Sequence, residues 1–120
     1  DVCVPISKLA QIVHETQIDI QNSDISGPII GHVGDGNFHS TLMIRDQNTE
    51  DLKIANELSH RMNERALKLG GTVSGEHGVG IGKVKYMEKE HGSAWDLMSS
   101  IKTALDPKCI LNPGKMIKSN

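Results

Sequence analysis

Pro28-Ile29-Ile30-Gly31-His32-Val33-Gly34-Asp35-Gly36-Asn37-Phe38-His39-Ser40-Thr41-Leu42-Met43-Ile44 reads as two strands and a turn. Pro28 to Val33 and Asn37 to Ile44 are rich in β-branched and large apolar side chains, the mark of short strands. Asp35-Gly36 between them is a preferred two-residue hairpin loop, because both loop positions must tolerate positive φ. That loop would set Gly34 against Asn37, Val33 against Phe38 and His32 against His39. Opposed residues on one sheet face have Cβ atoms about 4.5–5.5 Å apart, so two imidazoles could reach one metal ion. Alternation would keep Thr41 and Met43 on the face of His39 and turn Phe38, Leu42 and Ile44 towards a core.

Before this hairpin, Val2-Cys3-Val4-Pro5 is strand-like. Leu9, Ile12, Val13 and Ile20 then recur at helical spacing, with Ser7 as a candidate N-cap. After it, Asn48 precedes Glu50 and Asp51, an acidic helix start. Leu52, Ala55, Ser59, Met62, Ala66 and Leu69 would form one face of a long helix, ended by Lys68 and Gly70-Gly71. Thr72 to Ser74 reads as a short strand, and Lys83 to Glu90 as a short polar helix stopped by His91-Gly92. Ser93 with Asp96 is a capping signature. Leu97, Met98, Ile101, Ala104 and Leu105 make an apolar stripe that halts at Asp106-Pro107; Ile110 to Ile117 has no regular period. Strand, helix, strand, strand, helix, short strand, helices is the order of an α+β fold. It suggests a ferredoxin-like antiparallel sheet with helices on one face, followed by a C-terminal helical segment.

Composition bounds the function. At 120 residues the chain is at most one ordinary domain. Thirteen basic and fifteen acidic residues give a net charge of −2, which argues against a nucleic-acid binder living on phosphate attraction. No apolar run approaches the roughly 18 residues of a membrane span. Two cysteines, Cys3 and Cys109, make no disulfide framework, favour a reducing compartment and read as buried small hydrophobes. The chain starts at Asp1 and enters a strand directly, with no initiator Met or leader, and so reads as a piece of a longer protein. Nine of the twelve glycines and three of the six histidines fall within residues 31–39 and 70–82.

The second cluster is Ser74-Gly75-Glu76-His77-Gly78-Val79-Gly80-Ile81-Gly82-Lys83. It is not a Walker loop, which needs Gly at His77 and Ser or Thr at Val84. Nor is it a dinucleotide fingerprint, because no strand–turn–helix unit surrounds it. The zincin pattern fails as well, since His14-Glu15 is followed by Ile18 where a second His is required. What remains is a carboxylate beside an imidazole. Glu76 with His32 and His39 would complete a two-His, one-carboxylate site with open positions. In extended chain, His77 would point away from Glu76, which suits a general base better than a fourth ligand. A non-haem iron oxygenase, a metal hydrolase and a structural metal module all use such donors. His14, His60 and His91 lie on or near helices and read as solvated.

Three motifs in order, Gly-His-Val-Gly-Asp-Gly-Asn-Phe-His at 31–39, Ser-Gly-Glu-His-Gly-Val-Gly at 74–80 and Leu-Asp-Pro…Leu-Asn-Pro-Gly-Lys at 105–115, resemble the C-terminal portion of FAD-linked oxidases of the vanillyl-alcohol oxidase type. Within that family they are most similar to D-lactate dehydrogenases, glycolate oxidase flavin subunits and D-2-hydroxyglutarate dehydrogenases. The resemblance implies an N-terminal FAD-binding domain outside this chain, so the chain alone is expected to be colourless and inactive. It implies a divalent ion, zinc or manganese, on His32, His39 and Glu76, and His77 as catalytic base. Asn112 falls in a tail that returns to the flavin. Thr41 stands where some hydroxyglutarate-type relatives carry Asn, which tilts the resemblance towards D-lactate as substrate. The electron acceptor would be a cytochrome, a quinone or an electron-transfer flavoprotein. The location would be cytoplasmic, peripheral at the inner membrane, or mitochondrial in a eukaryote.

Overall fold

The computed structural model describes residues 1–117. The chain forms two compact units, Asp1–Glu76 and a second beginning at His77. The first contains strand β1 (Val2–Cys3), helix α1 (Ile6–Gln21), strands β2 (Ile29–His32) and β3 (Asn37–Ser40), and helix α2 (Thr49–Lys68). The sheet is antiparallel in the order β1-β3-β2. Cys3 and Thr72 exchange both backbone hydrogen bonds, at 3.1 and 2.8 Å, so Thr72 sits on the edge of β1 away from β3. Where Thr72 to Ser74 suggested a strand, the described residues form a single bridge.

One sheet face is covered by both helices. Val2, Val4 and Phe38 pack with Leu9 and Ile12 of α1 and Met62 and Ala66 of α2. A second cluster joins Ile20, Ile25, Ala55 and Leu58, with Leu42 half-buried against it. The buried face of α2 runs through Asp51, Ala55, Leu58, Met62 and Ala66. Leu52, expected on that face, is half exposed, as is Ile44. Asp51 takes the core position because Arg45 satisfies it. Both carboxylate oxygens accept from the guanidinium, at 2.7 and 2.5 Å, and one also accepts the Arg45 backbone N–H at 3.0 Å. The Asn48 cap forms as expected, accepting from the N–H groups of Glu50 and Asp51. Ser7 does not cap α1. Pro5 (φ −49°, ψ 136°) precedes the helix directly, because its ring already holds φ near the helical value.

The second unit holds α3 (Met87–His91) and α4 (Ala94–Leu105). Tyr86, Met87 and Trp95 are buried, and the Trp95 indole N–H donates to the Met116 carbonyl at 2.7 Å. The apolar stripe expected on α4 is not its buried side. Leu97, Ile101 and Leu105 are 63%, 52% and 78% exposed, because a helix in so small a unit shelters one side and Trp95 takes it. Ser93 makes no side-chain cap. Buried Asp106 closes the helix instead, pairing with Lys102 and accepting the N–H groups of Ile110 and Leu111 at 3.0 and 2.9 Å. Cys109 is exposed and Cys3 half-buried, so neither is the core residue expected.

Candidate metal centre and substrate site

The hairpin register differs from the two-residue loop expected at Asp35-Gly36. Val33–Asp35 form a 3₁₀ turn and Gly36 follows at φ +72°. A type I′ loop needs positive φ at both central residues, and only Gly36 takes it. A Cβ on Gly36 would lie 2.0 Å from the Val4 carbonyl oxygen, so the turn packs flush against β1. The loop therefore has four residues. His32 opposes Asn37, Gly31 opposes Phe38 and Ile30 opposes His39. The pairing has moved by two residues, an even number, so the face of each side chain is preserved. His32 and His39 share the sheet face opposite the helices as diagonal neighbours. Their rings meet edge to face with centroids 5.5 Å apart.

Glu76 arrives from the glycine loop. Residues 75–77 form a turn, with Gly75 at φ +52° and Gly78 at φ +78°. The alternation expected of extended chain at Glu76-His77 thus does not hold. One Glu76 oxygen lies 3.1 Å from His32 Nε2 and 3.1 Å from His39 Nε2. The three ligand atoms lie within 4.8 Å of one another. Zinc bonds of about 2.0–2.2 Å in tetrahedral geometry space neighbouring ligand atoms roughly 3.3 Å apart, so two imidazoles and a carboxylate suit a divalent ion in chemistry, and the two Glu76–His separations suit it in spacing. Glu76 and His32 are 48% and 57% exposed while His39 is 16% exposed. The cluster is anchored on one side and open on the other.

A buried carboxylate stands behind His39. His39 Nδ1 lies 3.2 Å from Asp1 Oδ1. The Asn37 amide donates to the same oxygen at 2.8 Å, and the Glu76 backbone N–H donates to Asp1 Oδ2 at 3.1 Å. Asp1 escaped the sequence reading because no local spacing links it to the histidines. The β1–β3 register alone brings Asp1 opposite His39.

The remaining candidates are placed as follows. Thr41 is exposed, and its N–H donates to the Pro28 carbonyl at 3.0 Å. The ladder thus continues past β3 and keeps Thr41 on the His39 face. His77 is exposed at the start of the second unit. Asn112 is exposed in the tail at φ +46°, a conformation Asn tolerates better than most residues. His14 and His60 are exposed as expected, whereas His91 is half-buried with a Glu90 oxygen 3.5 Å from its Nε2. In the glycine-rich loop, burial pushes the Lys83 ammonium pKa down, partly offset by Glu90.

Residues 1–116 match the family of FAD linked oxidases, C-terminal domain, and the chain belongs to that family. Among its relatives, the probable mitochondrial D-lactate dehydrogenase of Danio rerio is 44% identical over 98% of this chain and 24% of its own length. The mitochondrial D-lactate dehydrogenase [cytochrome] 1 of Saccharomyces cerevisiae is 47% identical over 100% of this chain and 20% of its own length. A D-2-hydroxyglutarate dehydrogenase of Xanthomonas citri is 33% identical, again over 100% of this chain and 26% of its own. The chain therefore spans about a fifth to a quarter of the curated relatives it matches.

Proposed function

We propose that this chain is the C-terminal substrate- and metal-binding part of an FAD-linked D-2-hydroxy acid dehydrogenase, with D-lactate as substrate and the FAD-binding domain upstream. The observation that carries the reading is the convergence of His32, His39 and Glu76 in a chain of the FAD-linked oxidase family. His32, His39 and Glu76 would hold a zinc or manganese ion, which would supply Lewis acidity towards the oxygens of a 2-hydroxy acid, and FAD held upstream would supply the hydride acceptor. His77, the covalent neighbour of Glu76, takes the substrate hydroxyl proton on its imidazole. General-base catalysis of this kind contributes roughly 10²–10⁴ in rate. Thr41 lines the substrate side and Asn112 the flavin side. The open face of the cluster favours an enzyme over a structural metal module, which closes all four positions. The relatives named for a cytochrome and for mitochondria support a cytochrome acceptor and a mitochondrial location. The Cys3–Thr72 bridge supports a ferredoxin-like order for the first unit, with Thr72 marking the fourth strand position.

Anaerobic addition of D-lactate to the full-length flavoprotein tests this reading. Flavin absorbance should bleach, and His77→Ala should slow the bleaching by about 10²–10⁴ while keeping its metal by elemental analysis. Undiminished reduction in His77→Ala, or loss of the metal from that variant, contradicts it.

A further inference from the structure

We propose that Asp1 is a positioning residue for this metal centre, orienting His39 and holding Glu76 through one carboxylate; the proposal rests on the metal reading above. Register puts Asp1 directly across the ladder from His39, since Val2 pairs with Phe38 and Cys3 with Asn37. Its two oxygens divide the work. Oδ1 lies 3.2 Å from His39 Nδ1, the ring nitrogen turned away from Glu76, within ion-pair reach but not aligned as a hydrogen bond. Oδ2 accepts the Glu76 backbone N–H at 3.1 Å. Asn37, itself buried, donates to Oδ1 at 2.8 Å and to the Val2 carbonyl at 2.9 Å, which fixes the carboxylate against β1.

Burial and the shape of the loop support the role. The Asp1 side chain is 8% exposed, against 48% for Glu76, so it lies beneath the cluster. A Cβ on Gly75 would lie 2.1–2.2 Å from the Asp1 carboxylate atoms. Only glycine lets the loop close over that carboxylate, and closure carries Glu76 to the two Nε2 atoms. A histidine that ligates through Nε2 commonly donates its Nδ1–H to a carboxylate. A small rotation of the His39 ring would bring Nδ1–H onto Asp1 Oδ1; such a bond selects the tautomer, locks the ring and raises its basicity, and removing it costs about 10–100-fold in metal affinity.

The test is zinc affinity of the full-length flavoprotein, measured by competition with a chromophoric chelator, for the wild type and Asp1→Asn. The substitution keeps size and removes the charge. Asp1→Asn should bind zinc about 10–100-fold more weakly at unchanged stoichiometry, and the ¹H–¹⁵N signal of the His39 Nδ1–H should shift. Equal affinity and an unshifted signal overturn the role of Asp1 while leaving the metal reading intact. Absence of zinc binding by the wild type overturns the metal reading and this role together. If Asp1→Asn fails to fold, the zinc-loaded wild type decides. A protonated, slowly exchanging His39 Nδ1 supports the proposal, and an unprotonated Nδ1 overturns it.

Discussion

His32 and His39 have unequal surroundings, and their substitutions should differ accordingly. His39 is 16% exposed and braced by Asp1, whereas His32 is 57% exposed and meets Glu76 at 3.1 Å. Both His32→Ala and His39→Ala should lose metal and flavin reduction together, as elemental analysis alongside stopped-flow reduction would show. His39→Ala should also lower the melting temperature, because it removes a mostly buried ring and leaves a cavity beside the Asp1 carboxylate; His32→Ala should leave the melting temperature nearly unchanged. Equal destabilisation by the two would contradict this asymmetry. The pairing of these histidines with Glu76 was legible in the sequence because facing strands and a glycine-rich loop constrain few alternatives. The Asp1 contact was not, since it depends on a third strand whose register no local pattern encodes.

In α2, the start signal and the stripe had different fates. Asn48 caps the helix as its type predicts, and Asn48→Ala should cost about 0.5–2 kcal/mol by chemical denaturation. The buried stripe instead begins at a carboxylate. The Arg45 guanidinium, by hydrogen bonds and then by charge, holds Asp51 down at about 2 against the pull of burial, below an unfolded value of about 3.9. A depressed folded pKa stabilises the fold above the unfolded pKa, and that stabilisation disappears as pH falls from about 4 through about 2. Asp51→Asn should therefore melt lower than wild type at pH 7, with the gap closing between pH 4 and 2. A gap constant over that range would contradict the assignment. Asp106, lowered chiefly by its hydrogen bond from Lys102, adds acid sensitivity in the same direction. Periodicity could not foresee either residue, because hydrophobic spacing treats a satisfied carboxylate as surface. The α4 stripe failed for the opposite reason: spacing reports an apolar face and says nothing of what covers it.

For the polypeptide as a whole, the sheet divides labour between its faces: Phe38 and the helices build the core, and His32 and His39 stand on the other side. Phe38 is 2% exposed, and Phe38→Ala should cost about 3–5 kcal/mol. The proposed preference for D-lactate rests on the same alternation. Thr41, two residues after His39, offers one short hydroxyl, where an Asn amide would reach further with two donors and an acceptor. A second substrate carboxylate buried there under-coordinated, once the site closes on substrate, would cost several kcal/mol, so kcat/KM should favour D-lactate over D-2-hydroxyglutarate. A higher value for D-2-hydroxyglutarate in stopped-flow flavin reduction would contradict the role of Thr41. Sequence motifs carried the family assignment across residues 1–116. The hairpin's actual register lay beyond them, because a four-residue and a two-residue loop place the same side chains on the same face. The most direct measurement is the divalent-metal content of the full-length flavoprotein, taken with its rate of flavin reduction by D-lactate before and after chelation. One ion per chain should be present, reduction should fall with its removal, and zinc or manganese should restore both. Full reduction by metal-free protein would contradict a metal-assisted reaction at His32, His39 and Glu76.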